Sequence, residues 1–210
     1  MTGNARDTIL SSLWQAAPGR VPNKSPDEPP AERVIDRSGL VDAFCERFTA
    51  QTGIIHRVGS GLDTAAFLPE ILKEHGIRRV VSATGLPAGP DIRLQTDFSG
   101  RRDFTEAVFN DADVGLTGAD FGVAESGTIV LSFHRDHARL ISLAPEIHIA
   151  LLSAARIVPT FEDALSQSRY IDQPPSHMIF ITGPSMTADI QGKPFKGMHG
   201  PRKLILILTE

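Results

Sequence analysis

Four polar side chains stand out for the chemistry they can do. Glu125 lies in Ala124-Glu125-Ser126-Gly127, where a carboxylate beside a hydroxyl can serve as a nucleophile or a general base. His199 lies in Gly197-Met198-His199-Gly200-Pro201, and an imidazole there can move a proton near neutral pH. Ser185 and Thr187 lie in Gly183-Pro184-Ser185-Met186-Thr187-Ala188-Asp189 and can donate hydroxyl hydrogen bonds to an anion. Each has a plain structural duty open to it as well. Ser126 can simply form a turn, and His199 can hydrogen-bond to its own loop.

Glycines punctuate all three segments. The first runs from Thr117-Gly118-Ala119-Asp120 through Gly127-Thr128. Glycine lets backbone approach a ligand closely, and exposed N–H groups in such turns bind anions. The expected ligand-binding set is therefore Gly118, Ser126, Gly127, Thr128, Gly183, Ser185, Thr187, Asp189, Gly200 and Arg202, with Glu125 and His199 as the candidates for proton or acyl chemistry. Lys193, Arg202 and Lys203 supply nearby positive charge. Residues 183–189 follow a strand, and open parallel α/β sheets hold ligands beyond the carboxyl ends of their strands. On that ground the three segments are expected to converge on one anion-accepting pocket. Asp189 would line it or hold the loop by accepting backbone N–H bonds.

Other motifs carry less. Gly59-Ser60-Gly61-Leu62-Asp63-Thr64 opens a helix after a strand, but it lacks the third glycine and the later acidic residue of a dinucleotide fingerprint, so it reads as a tight turn. Around Gly192-Lys193 a phosphate loop fails, because Thr187 stands where glycine is needed and Pro194 where a hydroxyl is needed. His134-Arg135-Asp136-His137 lacks a convergent third or fourth metal ligand and reads as a solvated loop. No metal site is expected. The single cysteine, Cys45, sits on a helix face and reads as structural. One thiol can form neither an internal disulfide nor an iron–sulfur cluster, which needs about four cysteines.

The elements that must position these residues follow from periodicity. Ile9, Leu10, Leu13, Trp14 and Ala17 have helical spacing, and the five prolines from Pro18 to Pro30 read as an extended linker. This divides the chain into a helical arm with its linker over 1–30 and an α/β domain over 31–210. Ser38 is the expected N-cap of a helix bearing Leu40, Val41, Phe44 and Phe48. Strands are expected at 54–58, 78–83, 114–117, 127–132, 147–152, 178–182 and 204–208, with helices at 64–75 and 159–167. The alternation argues for βαβ units and a mostly parallel sheet flanked by helices. Leu204-Ile205-Leu206-Ile207-Leu208 is apolar on both faces and belongs in the sheet interior.

Bulk composition narrows the classes further. The chain has 210 residues, 41% hydrophobic and 22% charged, with a formal net charge of -4, which gives no basic surface for nucleic acid. No stretch approaches the roughly 18 apolar residues of a membrane span, and Met1 to Leu10 hold no apolar secretion signal, so a cytoplasmic location is expected.

Taken together, Ala119-Asp120-Phe121-Gly122-Val123-Ala124-Glu125-Ser126-Gly127-Thr128, Ser142-Leu143-Ala144-Pro145, Ile157-Val158-Pro159, Gly183-Pro184-Ser185 with Thr187-Ala188-Asp189-Ile190, and Gly197 with His199-Gly200-Pro201 resemble the lactate utilisation protein C family, the LUD domain. The likeness runs from about Phe44 onward. It implies a fold like that of the NagB/RpiA/CoA transferase superfamily, which includes formyltetrahydrofolate cyclo-ligase. It also implies a part in oxidising L-lactate to pyruvate beside iron–sulfur partner proteins, with a small anionic ligand and no cofactor on this chain. Glu125 sits in a context loosely like the catalytic glutamate loop of coenzyme A transferases. A stand-alone transferase or cyclo-ligase, and a pure assembly factor, are the competing functions.

Overall fold

The computed structural model describes residues 4–16, 38–59, 64–83, 93–95, 101–133, 139–169, 175, 177–188 and 194–210. The proline-rich linker, Ser60 to Asp63, His134 to His137, Asp189 and Lys193 lie outside the described residues. Two compact units divide the chain, Met1–Val34 and Ile35–Glu210. The first contains helix α1 (Ala5–Ala16).

In the second unit come α2 (Leu40–Ala50), β1 (Ile54–Val58), α3 (Thr64–Glu74), β2 (Arg79–Ser82), β3 (Arg93–Gln95) and α4 (Arg101–Glu106), which runs on as one π-helical turn, Ala107–Asp111. Then follow β4 (Val114–Gly118), β5 (Phe121–Val123), β6 (Thr128–Phe133), β7 (Ile147–Ser153), β8 (Ile157–Val158) and α5 (Phe161–Arg169). The chain ends with β9 (His177–Ile181), β10 (Met186–Ala188), β11 (Pro194–Lys196) and β12 (Lys203–Thr209). Among the described residues no helix is long and apolar enough to cross a membrane.

The main sheet has six strands in the order β1-β12-β7-β4-β2-β3, and every neighbouring pair is parallel. β12 pairs with β1 on one side and β7 on the other, so its run of leucine and isoleucine is buried on both faces. Leu204, Leu206 and Leu208 pack with Phe44, Phe48, Leu131 and Phe133. Ile205 and Ile207 point the other way, onto Leu68, Leu72, Val80 and Leu116. Alternation along a strand assigns the two sets to opposite faces. Each such side chain contributes roughly 1.5–3 kcal/mol when fully buried.

A second sheet, β8-β5-β6-β9, packs against the leucine face. Its β5–β6 and β6–β9 pairs are antiparallel. Its far face, through Phe121, Val123, Val130 and Val158, meets Ala164 of α5. The layers are thus α3, large sheet, small sheet and α5, with Phe44 and Phe48 of α2 in the core shared by the two sheets.

Several expectations change here. The strands expected at 127–132 and 178–182 do not extend the parallel sheet; as β6 and β9 they form an antiparallel pair in the smaller one. β6 is buried on both faces, by the large sheet on one side and by α5 on the other, so its apolar run resembles that of a parallel interior strand and does not say which sheet it joins. The residue capping α2 is Gly39, at φ 75, rather than Ser38. Short β5, β10 and β11 arise in segments that read as loops, because three residues are too few to show a period.

Candidate functional site

The glycine-rich segments after β9 and before β12 cross one another and are stitched by backbone bonds. Ser185 N–H donates to Pro201 O (2.9 Å), and Gly197 N–H donates to Ser185 O (2.9 Å). Arg202 N–H donates to Glu146 O (2.7 Å), tying the start of β12 to the start of β7. Gly200 makes the crossing close: a Cβ there would lie 3.2 Å from Ser185 Cβ.

This crossing encloses a hollow of about 220 Å³, bounded by Thr182, Gly183, Ser185, His199, Gly200 and the buried His148. A second hollow of about 440 Å³ adjoins it and shares Leu143, His199 and Gly200, with Phe109, Glu146 and Arg202 along its other sides. The exposed His199 therefore borders both. Arg202 is paired with Glu146 at 3.8 Å, an exposed ion pair of little energetic weight.

His148 is the one fully buried histidine among the described residues. Burial alone pushes its pKa down to about 3, so it is neutral at physiological pH. Its Nε2 lies 2.8 Å from Thr117 Oγ1 of β4. Its Nδ1 has no partner among the described residues. Buried polar atoms are nearly always satisfied, so an unpartnered nitrogen beside a hollow marks a place where water or a ligand atom can bond.

The position of this site differs from the expected one. The segments that form it lead into β4, β7 and β12, so it lies at the amino edge of the parallel sheet. The crevice rule concerns the carboxyl edge of parallel strands, whereas Gly183 follows an antiparallel strand of the small sheet.

Of the residues singled out in the sequence, Gly183, Ser185, His199 and Gly200 share the smaller hollow, and Arg202 borders the larger. Thr187, in β10 opposite Phe195, lines neither. Asp189 is outside the described residues. Gly118 ends β4 at the opposite, carboxyl edge.

The Glu125 segment does not join the other two. Its turn joins β5 to β6, and Glu125 lies on the β5 side, two strands over from β9. Glu125 Oε1 accepts from Phe161 N–H (2.9 Å), at the first residue of α5, and Glu125 N–H donates to Pro159 O (3.0 Å). Its carboxylate thereby satisfies a free donor of the helix start. Thr160 completes that end: its hydroxyl and Asp163 bond reciprocally as a capping pair. Gly127, at φ 67, seats this turn on α2, where a Cβ would lie 2.3 Å from Phe48 N. Arg47 Nη1 donates to Ala124 O (2.8 Å) from the same helix. One polar link does reach the hollow, since Ser126 Oγ, Thr128 Oγ1 and Thr182 Oγ1 form a chain of 2.7 and 2.6 Å contacts.

Cys45 is half-buried, and burial pushes its thiol pKa up against the opposing pull of Arg57. That keeps it protonated and unreactive. Sequence reasoning missed His148 and Thr182. The available signal for His148 was a lone polar residue inside the apolar run Ile147-His148-Ile149-Ala150.

The fold is an α/β architecture with a mostly parallel sheet flanked by helices, and its candidate site is a small hollow bearing a serine and two histidines. The chain belongs to the LUD domain family, which residues 41–209 match. It is 29% identical over 213 residues to lactate utilization protein C of Deinococcus radiodurans, covering 99% of this chain and 97% of that protein. It is 40% identical over 109 residues to lactate utilization protein C of Anoxybacillus flavithermus, covering 51% of this chain and 48% of the relative. Similar stretches match the protein of the same name from Oceanobacillus iheyensis, and in these relatives the matched part spans about half their length. A crystal structure of a DUF162 family protein from Deinococcus radiodurans shares the fold, with a TM-score of 0.57, 24% identity, and coverage of 84% of this chain and 99% of that one.

Proposed function

We propose that this protein acts in lactate utilisation, as a subunit or accessory factor in the oxidation of L-lactate to pyruvate in the cytoplasm. It binds a small anionic ligand at the Ser185–His199 hollow and works with iron–sulfur partner proteins. The observation that carries the reading is the relationship to lactate utilization protein C of Deinococcus radiodurans along nearly the whole of both chains. With one cysteine, the chain cannot hold a cluster of its own, so electron transfer falls to partners.

The site chemistry suits a hydroxy acid or its keto product. A hollow of about 220 Å³ has room for a small carboxylate with water, each water occupying ~30 Å³. The Ser185 hydroxyl and the His199 imidazole offer donors to a carboxylate. Neutral His148 offers an unpaired nitrogen to a hydroxyl or carbonyl group. Ser126 and Thr128 act through the hydroxyl chain to Thr182, and Glu125 acts by holding α5 in place.

A strain lacking the gene and complemented with Ser185→Ala or His199→Ala should grow poorly on L-lactate at normal protein levels, while the parent chain restores growth. Affinity capture of the parent chain from lactate-grown cells should bring down iron–sulfur proteins. Full growth of both variants would defeat the site assignment. Coenzyme A or a folate retained by the native protein would defeat the lactate reading in favour of transferase or cyclo-ligase chemistry.

A further inference from the structure

Away from that hollow, three potential metal ligands meet on the α3 face of the large sheet. His56 lies on the edge strand β1, in register with Ile207, and shares its face with Val58, which packs beneath α3. Glu74 is the last residue of α3 and His75 follows it. The two imidazoles approach edge to face at 82°, with Nε2 to Nε2 at 3.4 Å. Glu74 brings a carboxylate oxygen, and the three ligand atoms lie within 4.8 Å of one another.

From this geometry we propose that His56, His75 and Glu74 form a binding site for a divalent transition metal of the zinc class. Zinc–nitrogen bonds are ~2.0–2.1 Å, so two nitrogens 3.4 Å apart subtend about 110° at a shared ion, the tetrahedral angle. At a 5.7 Å centroid separation the two Nε2 atoms point almost straight at each other, so the nitrogens already have the spacing and each ring must tilt by roughly 35° to aim its lone pair at a shared ion. Glu74 is exposed, and a rotamer change closes the remaining distance. Both histidines are half-buried, which holds the rings while leaving the fourth position open to water. Metal binds the neutral imidazole. Burial lowers the His75 pKa, with Glu74 opposing the fall and His56 and Lys203 adding to it. The competing account is a plain imidazole–imidazole hydrogen bond. The bound ion would pin the end of α3 to the sheet edge. No sequence motif announces the site, because strand β1 and the far end of α3 come together only in the folded chain.

The test uses the full, untagged chain, stripped with chelator and equilibrated with zinc, with bound metal counted by mass spectrometry. The parent should hold one zinc per chain, and His56→Ala and His75→Ala should each lose it. Glu74→Gln should weaken binding by tenfold or more with an unchanged circular dichroism spectrum. Cobalt in place of zinc should give the intense visible bands of a tetrahedral site. Should an alanine variant fail to fold, ring NMR of the parent decides: zinc should shift the imidazole signals of two of the seven histidines, those of His56 and His75. Zinc content equal in parent and histidine variants, shifts at other histidines, or no binding below about 100 μM would overturn the proposal.

Discussion

His148 should make this protein less stable in acid. Its pKa is about 3 in the folded chain and 6.5 when exposed. Between these values the unfolded chain binds a proton that the folded chain refuses. Stability therefore falls as pH drops below 6.5, by up to ~1.4 kcal/mol per pH unit. Integrated from pH 7 to pH 5, the loss assigned to His148 is about 2 kcal/mol. That window lies wholly above the folded pKa, so the size of the loss depends on the unfolded value alone. For a chain of this length it corresponds to ~4–8 °C in Tm. Urea unfolding followed by far-UV circular dichroism at pH 7, 6 and 5 measures it, with His148→Gln as the reference. Carboxylates and other histidines titrate in both proteins, and their contributions cancel in the difference. The stability advantage of the parent over the variant should shrink by about 2 kcal/mol across the range. Parallel pH dependences for the two proteins would refute a neutral, desolvated His148.

Gly127→Ala should cost at least ~3 kcal/mol, because φ 67 disfavours a side chain and the new Cβ would press on the backbone of α2; a loss below 1 kcal/mol in urea unfolding would contradict the packing. Glu125→Ala should cost about 0.5–1 kcal/mol through the freed Phe161 N–H, and Glu125→Gln, which keeps an acceptor, about half of that or less; equal stability of all three chains would remove the helix-start role. Deleting residues 1–30 should leave a cooperatively folding domain, because every buried cluster among the described residues draws on positions from Leu40 to Leu208. Loss of a sigmoidal thermal transition in the truncated chain would show that α1 belongs to the core.

Much of the layout was legible without coordinates. Helical spacing and strand runs identify α2, β1, α3, β2, β4, β7, α5 and β12 to within a few residues, because the helices bury one face and show its period while the interior strands are short continuous apolar runs bounded by turns. The doubly apolar run of β12 has one physical solution, an interior strand of a covered parallel sheet. The motif residues also proved enough to name the family, since they run through most of the matched span.

Sequence alone thus determined the longer elements, the parallel character of the main sheet and the family. It also marked Ser185, His199 and Gly200 as close-approach or polar positions. Tertiary structure decided everything that depends on long-range pairing. It sent β6 and β9 to a second sheet, where they pair antiparallel, and the hollow lies at the amino edge of the first. It turned Glu125 toward a helix start and away from the hollow. It also buried His148 beside Thr117 and brought His56 to His75. The reason is the range of the forces involved. Periodicity and turn chemistry act over a few residues and leave a local trace. A strand's choice of sheet, and the desolvation of one imidazole, are settled by residues far away in the chain, whose approach no local pattern encodes.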